Sequence, residues 1–248
     1  MNFSQFLKRI TEDAQYLQEE GIQYAEYHAR RFYITYETCI KYLKKGDQVL
    51  SIGAGCGIVE KMLKEWGVEV TVVDFEAGIE RWSSYFSYLG IKTCSANLIK
   101  DKLNLPYNYF DMLLCSEIVE HIPQSPQEQL QNVNGHIKIG GVVVVTTPNL
   151  GSILHIVKLL FMRPIFEVPE KTFGEVNFEN QAVHRREYLP SEINYSFTKL
   201  GYKPIKTIYF FYTYHPGLLM RILSVFGKVI PRFRPGMLLI GSKSENIS

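Results

Sequence analysis

The feature that most constrains the fold is a glycine-rich turn between two strand-like runs. The run VLSIGAGCG at residues 49–57 passes from aliphatic residues to three glycines, Gly53, Gly55 and Gly57. Glycine adopts backbone conformations that a Cβ would block, and it lets the backbone approach a ligand closely. The next strand-like run, VEVTVVD, ends at Asp74, where an acid can accept hydrogen bonds from both hydroxyls of a ribose. Together the turn and the acid predict a site for a nucleoside-containing cofactor.

Strand-like and helix-like segments alternate between Val49 and Asn149. The strand-like segments are QVLSI, VEVTVVD, IKTCS, FDMLLCS and VVVVTT, and helical patterns separate most of them, including one over about 126–138. This alternation predicts right-handed βαβ units and a sheet covered by helices on both faces. The first 45 residues are predicted to be two helices divided at Gly21.

The rhythm changes after Pro148. The sequence predicts an apolar helix in SILHIVKLLFM, a helix in LPSEINYSFTKLGY that Ser191 caps and Gly201 ends, and two last strands at about 204–213 and 237–242. We expect a single domain over 1–248, with N-terminal helices in 1–45 and a cofactor-binding core in 46–148. The segments 149–190 and 214–236 are then expected to form the acceptor pocket or a helical lid.

A dinucleotide-binding turn requires the pattern G-x-G-x-x-G, and the third glycine would stand at position 58, which is Ile58. The order of the motifs instead resembles class I S-adenosylmethionine-dependent methyltransferases, in particular the small-molecule branch with ubiquinone-pathway O-methyltransferases. The resemblance covers roughly residues 40–150 and consists of VLSIGAGCG, VVDFE, SANLIKDKLNLPYNYFD, LLCSEIVEHI and IKIGGVVVVTTPN. It implies a doubly wound, seven-stranded α/β sheet with an antiparallel last strand, and S-adenosylmethionine as cofactor.

The same resemblance implies which residues hold the cofactor. The glycine turn passes under the methionine part, Asp74 binds the ribose hydroxyls and Phe75 lies against the adenine. Asn97 reads the adenine edge, and a cation on the preceding helix meets the carboxylate. The implied cofactor-binding residues are Gly53, Ala54, Gly55, Asp74, Phe75, Ala96, Asn97, Leu98, Ser116, Glu117 and Arg31. The chain differs from the family at Ser51, where an acid is usual. A helix N-cap is the alternative role for Asp74.

Two histidines are candidate catalytic residues. His184 opens HRREYLPSEI, and a histidine before that helix often borders the acceptor pocket in the resembled branch, where it could act as a base toward a hydroxyl. Packing against a loop is the alternative role for His184, and a hydrogen-bonded structural role is the alternative for His121. Glu117, Glu120 and His121 do not match the inverse zinc motif, and the sequence offers no third ligand, so no metal is predicted.

Charge is distributed unevenly between the two halves of the chain. Residues 1–150 hold 14 Lys or Arg and 18 Asp or Glu, whereas residues 151–248 hold 13 and 7. A basic C-terminal half favours an anionic or lipid-linked small-molecule acceptor, or a peripheral contact with the inner face of a membrane; an ordinary solvated face is the alternative. Four scattered cysteines and an N-terminus without a secretory pattern favour the cytoplasm.

The predicted activity is methylation of an oxygen on a small molecule, a sugar or a lipid-like compound. Methylation of a small-molecule amine differs only in the acceptor and stays open. A scaffold that binds the cofactor without turnover is a further alternative, and Ser51 is its main support. A nucleic-acid substrate is disfavoured, because the Asn/Asp-Pro-Pro-aromatic signature of adenine-amine methyltransferases does not follow the FDMLLCS strand.

Overall fold

The computed structural model describes residues 1–166, 183–212 and 225–245. Within them seven strands form one sheet: β1 (Gln48–Ile52), β2 (Glu69–Asp74), β3 (Lys92–Ser95), β4 (Phe110–Ser116), β5 (Ile137–Pro148), β6 (Tyr202–Phe210) and β7 (Gly236–Lys243). Their spatial order is β3-β2-β1-β4-β5-β7-β6. The first five strands pair in parallel, and β7 lies antiparallel between β5 and β6. The predicted seven-stranded sheet with an antiparallel last strand is confirmed.

Seven helices accompany this sheet in the described part of the chain: α1 (Phe3–Ile10), α2 (Ala14–Cys39), α3 (Ile58–Trp66), α4 (Glu76–Tyr88), α5 (Pro126–Asn134), α6 (Ile153–Leu160) and α7 (Pro190–Lys199). Residues 225–229 are also helical, and a 3-10 turn spans Pro231–Phe233. Among all these helices, none has the length and apolar character that crossing a membrane requires.

The central strands are buried on both faces, which explains their uninterrupted aliphatic sequences. On β4, Met112 and Leu114 pack with α1–α4, whereas Leu113 and Cys115 pack with α5 and α7. Successive residues of a strand point to opposite faces, so helices cover both sides of the sheet. Chain order reverses between β1 and β4, and a ligand crevice is expected at the carboxyl ends of strands around such a point.

Gly21 does not divide the N-terminal helices, so this prediction was wrong. The break falls before Ala14, and Gly21 lies inside α2. A Cβ on Gly21 would come within 3.1 Å of Cη2 of Trp82 on α4. The glycine therefore permits close packing of two helices instead of ending one. The side chain of Asp13 turns inward at the break and pairs with Lys61 at 2.9 Å.

Two other boundaries differ from the sequence prediction. The helix expected over 126–138 ends at Asn134, because the chain joins the sheet at Ile137, opposite Phe110. Gly140 has a φ of +83° inside β5, where the register with β4 shifts, so this glycine marks a bulge within the strand. The N-cap of α7 is Leu189, whose backbone N–H donates to Glu192, and not Ser191 as predicted.

Candidate active site

The glycine turn follows β1 directly, and all three glycines have positive φ: +64° at Gly53, +54° at Gly55 and +68° at Gly57. A Cβ at Gly53 would lie 2.0 Å from Cδ1 of Ile118, and one at Gly57 would lie 2.7 Å from Cε1 of Phe86. Packing therefore requires these two glycines. Among the described residues, a Cβ at Gly55 would meet no atom within 4 Å. The backbone at Gly55 thus faces open space, as a cradle for a ligand would.

A cavity of about 400 Å³ opens beside this turn, at the carboxyl ends of β1, β2 and β3. Six of the predicted cofactor-binding residues line it: Gly53, Asp74, Phe75, Ala96, Asn97 and Leu98. Ile118, His121 and Ile122 close the cavity from the loop after β4. Ala54, Gly55, Ser116, Glu117 and Arg31, which the sequence also assigned to the cofactor, are not among the lining residues.

Asp74 ends β2 with its carboxyl group at this cavity. Its Oδ1 accepts a hydrogen bond of 2.8 Å from the backbone N–H of Phe75, and burial raises the pKa of the carboxyl to about 6. The N-cap of α4 is Phe75, not Asp74, so the alternative role of Asp74 as N-cap is not found. Placing a half-buried carboxyl at the edge of an apolar cavity costs free energy, and a ligand that donates hydrogen bonds to the carboxylate offsets this cost.

Asn97 closes the turn after β3. Its Oδ1 accepts hydrogen bonds from the backbone N–H groups of Ile99 and Lys100, at 3.0 and 3.2 Å. A carbonyl oxygen has two lone pairs, and both are used here. The sequence analysis expected Asn97 to read the adenine edge; in the structure, the side-chain NH2 of Asn97 is the group left to contact a base.

The acid that the family usually carries on β1 has a counterpart on α3. Ser51 Oγ donates a 2.6 Å hydrogen bond to Oε1 of Glu60, which is 3% exposed. Burial raises the pKa of Glu60 to about 7, although the hydrogen bond from Ser51 opposes this shift. The chain therefore holds a carboxyl group beside the glycine turn after all, reached from α3 instead of from β1.

Arg31 on α2 and Glu117, just after β4, form an ion pair that is largely buried. Arg31 Nη1 lies 3.0 Å from Glu117 Oε2, and their side chains are 5% and 13% exposed. Tyr212 donates a 3.0 Å hydrogen bond to the same carboxylate oxygen, and Arg31 Nη2 donates to the hydroxyl of Tyr24. Glu117 has a φ of +54°, a conformation that costs free energy in a residue other than glycine. Such strain is common at functional sites.

Two buried atoms of this ion pair, Arg31 Nε and Glu117 Oε1, have no hydrogen-bond partner in the described residues. The side-chain oxygens of Ser116 and Thr146, neighbours in the pairing of β4 with β5, share this property. Buried polar atoms are normally hydrogen-bonded, so several unsatisfied ones in one region indicate a ligand site.

A second polar cluster lies behind His121. The Nδ1 of His121 is 3.0 Å from the carbonyl oxygen of Val183, which can only accept, so this nitrogen carries the proton. Burial lowers the pKa of His121 to about 4, which leaves the ring neutral, with an unprotonated Nε2 that lies 3.8 Å from Oε1 of Glu120. The ring of His184 stands edge-on to it, with centroids 4.8 Å apart. Both predicted catalytic histidines thus meet.

Glu187 and His155 complete this cluster, and the sequence analysis did not single out either for catalysis. The carboxylate of Glu187 lies between two rings, 3.5 Å from Nδ1 of His184 and 3.3 Å from Nδ1 of His155. The segment 184–188 passes across the ends of β4 and β5, because Tyr188 bridges to Asn149 and Arg185 N–H donates to the carbonyl of Glu120. The one sequence feature that could have indicated this cluster is His155, a single histidine in the otherwise apolar α6.

Glu120, His121 and His184 each place a possible ligand atom within 4.8 Å of the others. The expectation of no third ligand near Glu120 and His121 was therefore wrong, since His184 comes from a segment far along the chain. Glu120 is fully buried, accepts a 2.9 Å hydrogen bond from Thr147 and has its pKa raised well above the usual range by burial and by Glu117. That the site uses no metal stays a prediction.

Comparison with known proteins identifies the family to which the chain belongs. The family model of a methyltransferase domain matches residues 24–206. The chain belongs to this methyltransferase family. It is 31% identical over 108 residues to a ubiquinone biosynthesis O-methyltransferase of Rickettsia felis, an alignment that covers 41% of each chain. The chain thus spans less than half the length of that relative.

Solved structures agree on the fold. A SAM-dependent methyltransferase of Archaeoglobus fulgidus superposes with a TM-score of 0.61 at 19% identity, covering 91% of this chain and all of that one. A SAM-dependent methyltransferase of Thermotoga maritima, described as a possible histamine N-methyltransferase, gives 0.60 at 14% identity over 98% and 100% of the two chains. This methyltransferase uses S-adenosylmethionine as its cofactor, and the glycine cradle, the half-buried Asp74 and the unsatisfied polar atoms fit that molecule.

The pKa of Asp74 predicts how cofactor affinity depends on pH. Ribose hydroxyls donate to an ionised carboxylate, so protonation of Asp74 below pH about 6 should remove the competent form. We expect S-adenosylhomocysteine to bind about tenfold more weakly at pH 5 than at pH 7.5, measured by titration calorimetry. The raised pKa has the opposite effect on the unliganded fold, whose stability gain from a protonated Asp74 is lost as pH rises through about 6.

Glu60 titrates near the same range, with a pKa of about 7, so a control must separate the two groups. Asp74→Asn should flatten the pH dependence of binding, whereas Glu60→Gln should leave it in place. If the slope survives in Asp74→Asn, its source is not Asp74.

Proposed function

We propose that this methyltransferase transfers the methyl group to a hydroxyl oxygen of a small organic molecule, a sugar or a lipid-like compound. The observation that carries the proposal is a neutral His121 at the cofactor cavity, with an unprotonated Nε2 that can accept a hydrogen bond and with His184 beside it. A hydroxyl must lose its proton on becoming an ether, and these rings offer an acceptor for it. The R. felis relative is named as an O-methyltransferase.

Several residues would hold the cofactor, each of them contacting a different part of the molecule. Asp74 would accept from the ribose hydroxyls, Phe75 and Leu98 would enclose the adenine, and the backbone of the Gly53–Gly55 turn would meet the methionine part. Arg31 would pair with the methionine carboxylate while it keeps Glu117 in place. When bound, S-adenosylmethionine supplies an electrophilic methyl group on a sulfonium.

The protein's own contribution to the reaction is orientation, exclusion of water and removal of a proton. His121 would orient the acceptor hydroxyl through Nε2, but its low pKa makes it a weak base. His184 is the better candidate base, because its side chain is 41% exposed and Glu187 can pair with the protonated ring. The proton could then leave to solvent through His184.

The segments 149–190 and 214–236 would supply the rest of the acceptor pocket within a single domain over 1–248. Residues 167–182 and 213–224, with His215 among them, lie outside the described residues. In the described part of 149–190, α6 and the segment 184–188 border the ends of β4 and β5. This position beside His121 supports their role toward the acceptor.

Pairs of acceptors that share a skeleton but carry either a hydroxyl or an amine would test the proposal. With labelled S-adenosylmethionine, we expect methyl transfer to the hydroxyl member of at least one pair, with an ether as product. Turnover of amines alone would make the protein an N-methyltransferase. Tight binding of S-adenosylhomocysteine without turnover of any acceptor would support a binding scaffold.

Removal of the candidate base gives a separate prediction. His184→Ala should lower kcat about 100-fold or more, the usual contribution of a general base, with the Kd of S-adenosylhomocysteine unchanged. Glu187→Gln should give a smaller loss in the same direction and alter the pH profile of kcat, since Glu187 acts on the proton transfer by pairing with His184. If His184→Ala has the kcat of the wild type, His184 is not the base and only packs against its neighbours. This conclusion would hold even if methyl transfer to oxygen is found.

A further inference from the structure

The end of α6 exposes a run of large apolar side chains. Leu159, Leu160, Phe161 and Met162 are consecutive and are 57%, 75%, 74% and 92% exposed. None of the residues of α6 is buried, although its sequence, ILHIVKLL, is almost wholly apolar. A helix of this composition is normally part of a core, and contiguous exposed apolar surface marks an interaction site.

A second segment of the same character lies at the same edge of the sheet. In residues 225–230, Val225 and Phe226 are about half exposed and Val229 is 75% exposed. Hydrogen bonds connect the start of the first segment to the end of the second. The side-chain amide of Asn149 donates to the carbonyls of Arg232 and Arg234, both at 2.8 Å. We call residues 153–163 and 225–232 together the basic apolar face.

The charges on this face have one sign. Lys158 and Arg163 flank the apolar run of α6, and Lys228 and Arg232 accompany the second segment. The sequence has no Asp or Glu between 150 and 166 or between 225 and 235. Apolar side chains with lysine and arginine beside them match the boundary of an anionic bilayer, where acyl chains lie under negative headgroups.

We propose that the basic apolar face docks on the surface of an anionic lipid bilayer. The side chains of 159–162 enter the boundary of headgroups and acyl chains, and the four basic residues contact the headgroups. Both segments of this face connect to the sheet near the pair of Pro148, the last residue of β5, and Gly236, the first residue of β7. This is the edge of the sheet at which the cofactor cavity lies, the carboxyl ends of the parallel strands. Docking would therefore bring the candidate active site close to the bilayer without a spanning helix.

Flotation with lipid vesicles tests this proposal on the full chain and needs neither cofactor nor turnover. We expect the protein to float with phosphatidylcholine vesicles that contain phosphatidylglycerol, to bind pure phosphatidylcholine much less, and to dissociate as salt is raised. Leu160→Glu with Phe161→Glu should lower partitioning at least about tenfold. Lys158→Glu and Arg163→Glu should each lower it about fivefold.

Matched controls lie at the opposite edge of the sheet. Ile139 is 58% exposed near the start of β5, and Lys203 is exposed near the start of β6. Ile139→Glu and Lys203→Glu should leave partitioning unchanged. Phe161→Trp should also add a tryptophan signal that shifts to the blue with anionic vesicles, and circular dichroism checks that each variant is folded.

Three results would overturn the proposal. One is a folded wild type that floats with neither vesicle. Another is Leu160→Glu with Phe161→Glu partitioning as the wild type does. The third is a dimer, seen by sedimentation, that the same two substitutions dissociate while vesicle binding is absent; a second copy of the chain would then cover this face. None of these results bears on methyl transfer, so the proposed function is tested separately.

Discussion

Asp74→Ala should weaken the binding of S-adenosylhomocysteine about 100-fold or more. Two hydrogen bonds from ribose hydroxyls to a carboxylate are lost, and hydrogen bonds to charged groups contribute about 1.5–3 kcal/mol each. The same substitution should leave the melting temperature of the unliganded protein unchanged or raise it. Burial disfavours the ionised carboxylate, as its pKa of about 6 indicates, and removing this penalty offsets the loss of the hydrogen bond from the backbone N–H of Phe75.

These opposite directions separate a ligand-binding role from a structural one. Glu69→Ala is the matched control, since Glu69 is a carboxylate on the same strand at the opposite edge of the sheet. It pairs with Lys64 at the surface, and its loss should cost less than about 1 kcal/mol and leave the Kd unchanged. A lower melting temperature in Asp74→Ala with unaltered affinity would assign Asp74 to the fold. Calorimetry and thermal unfolding on the same samples decide the matter.

Local patterns in the sequence were sufficient to predict the strands, whereas the seven-stranded sheet with its antiparallel last strand was implied by the family resemblance. The aliphatic runs of β4 and β5 are buried on both faces, and such runs are typical of central parallel strands. The position of Gly53 and Asp74 at one cavity was predictable because strand, turn and acid are close in the chain. Six residues that the sequence assigned to the cofactor do line one cavity, and all six lie at or just beyond the ends of the first three strands.

Contacts between distant segments were not predictable in the same way. Gly21 looked like a helix break, yet it makes room for Trp82, which is far away in sequence. Glu60 replaces the acid expected at Ser51 from a different element, and Glu187 reaches two histidines from separate segments. Hydrophobic periodicity gives the type of an element, but it does not give the partners of a polar side chain.

The buried pair of Arg31 and Glu117 leads to the largest stability effect that we expect. Arg31→Met should lower the free energy of unfolding by about 3–5 kcal/mol, because it leaves a carboxylate buried without its counter-charge. Glu117→Gln should cost less than that, since an amide can still bond to Tyr212. Because each single substitution leaves a partner behind, the double variant should lose less than the sum of the two, and a double-mutant cycle in urea measures the coupling.

The exposed pair of Lys64 and Glu69, at 2.9 Å, is the control for this cycle. Its distance is close to that of the buried pair, but the Glu69 side chain is 49% exposed, so its coupling should stay below about 1 kcal/mol. Equal coupling in the two pairs would mean that burial does not strengthen the pair of Arg31 and Glu117.

Arg31 should also distinguish ligands by a single chemical group. S-adenosylhomocysteine has the methionine carboxylate, whereas methylthioadenosine has the same nucleoside and lacks it. Arg31→Met should therefore weaken the first ligand about tenfold or more, the loss of one charge-assisted contact, and leave the second within about twofold. Since a partly unfolded variant would lose affinity for both ligands alike, the ratio of the two Kd values reports the contact alone. An equal loss for both would show that Arg31 only holds Glu117 and the strained turn after β4 in place.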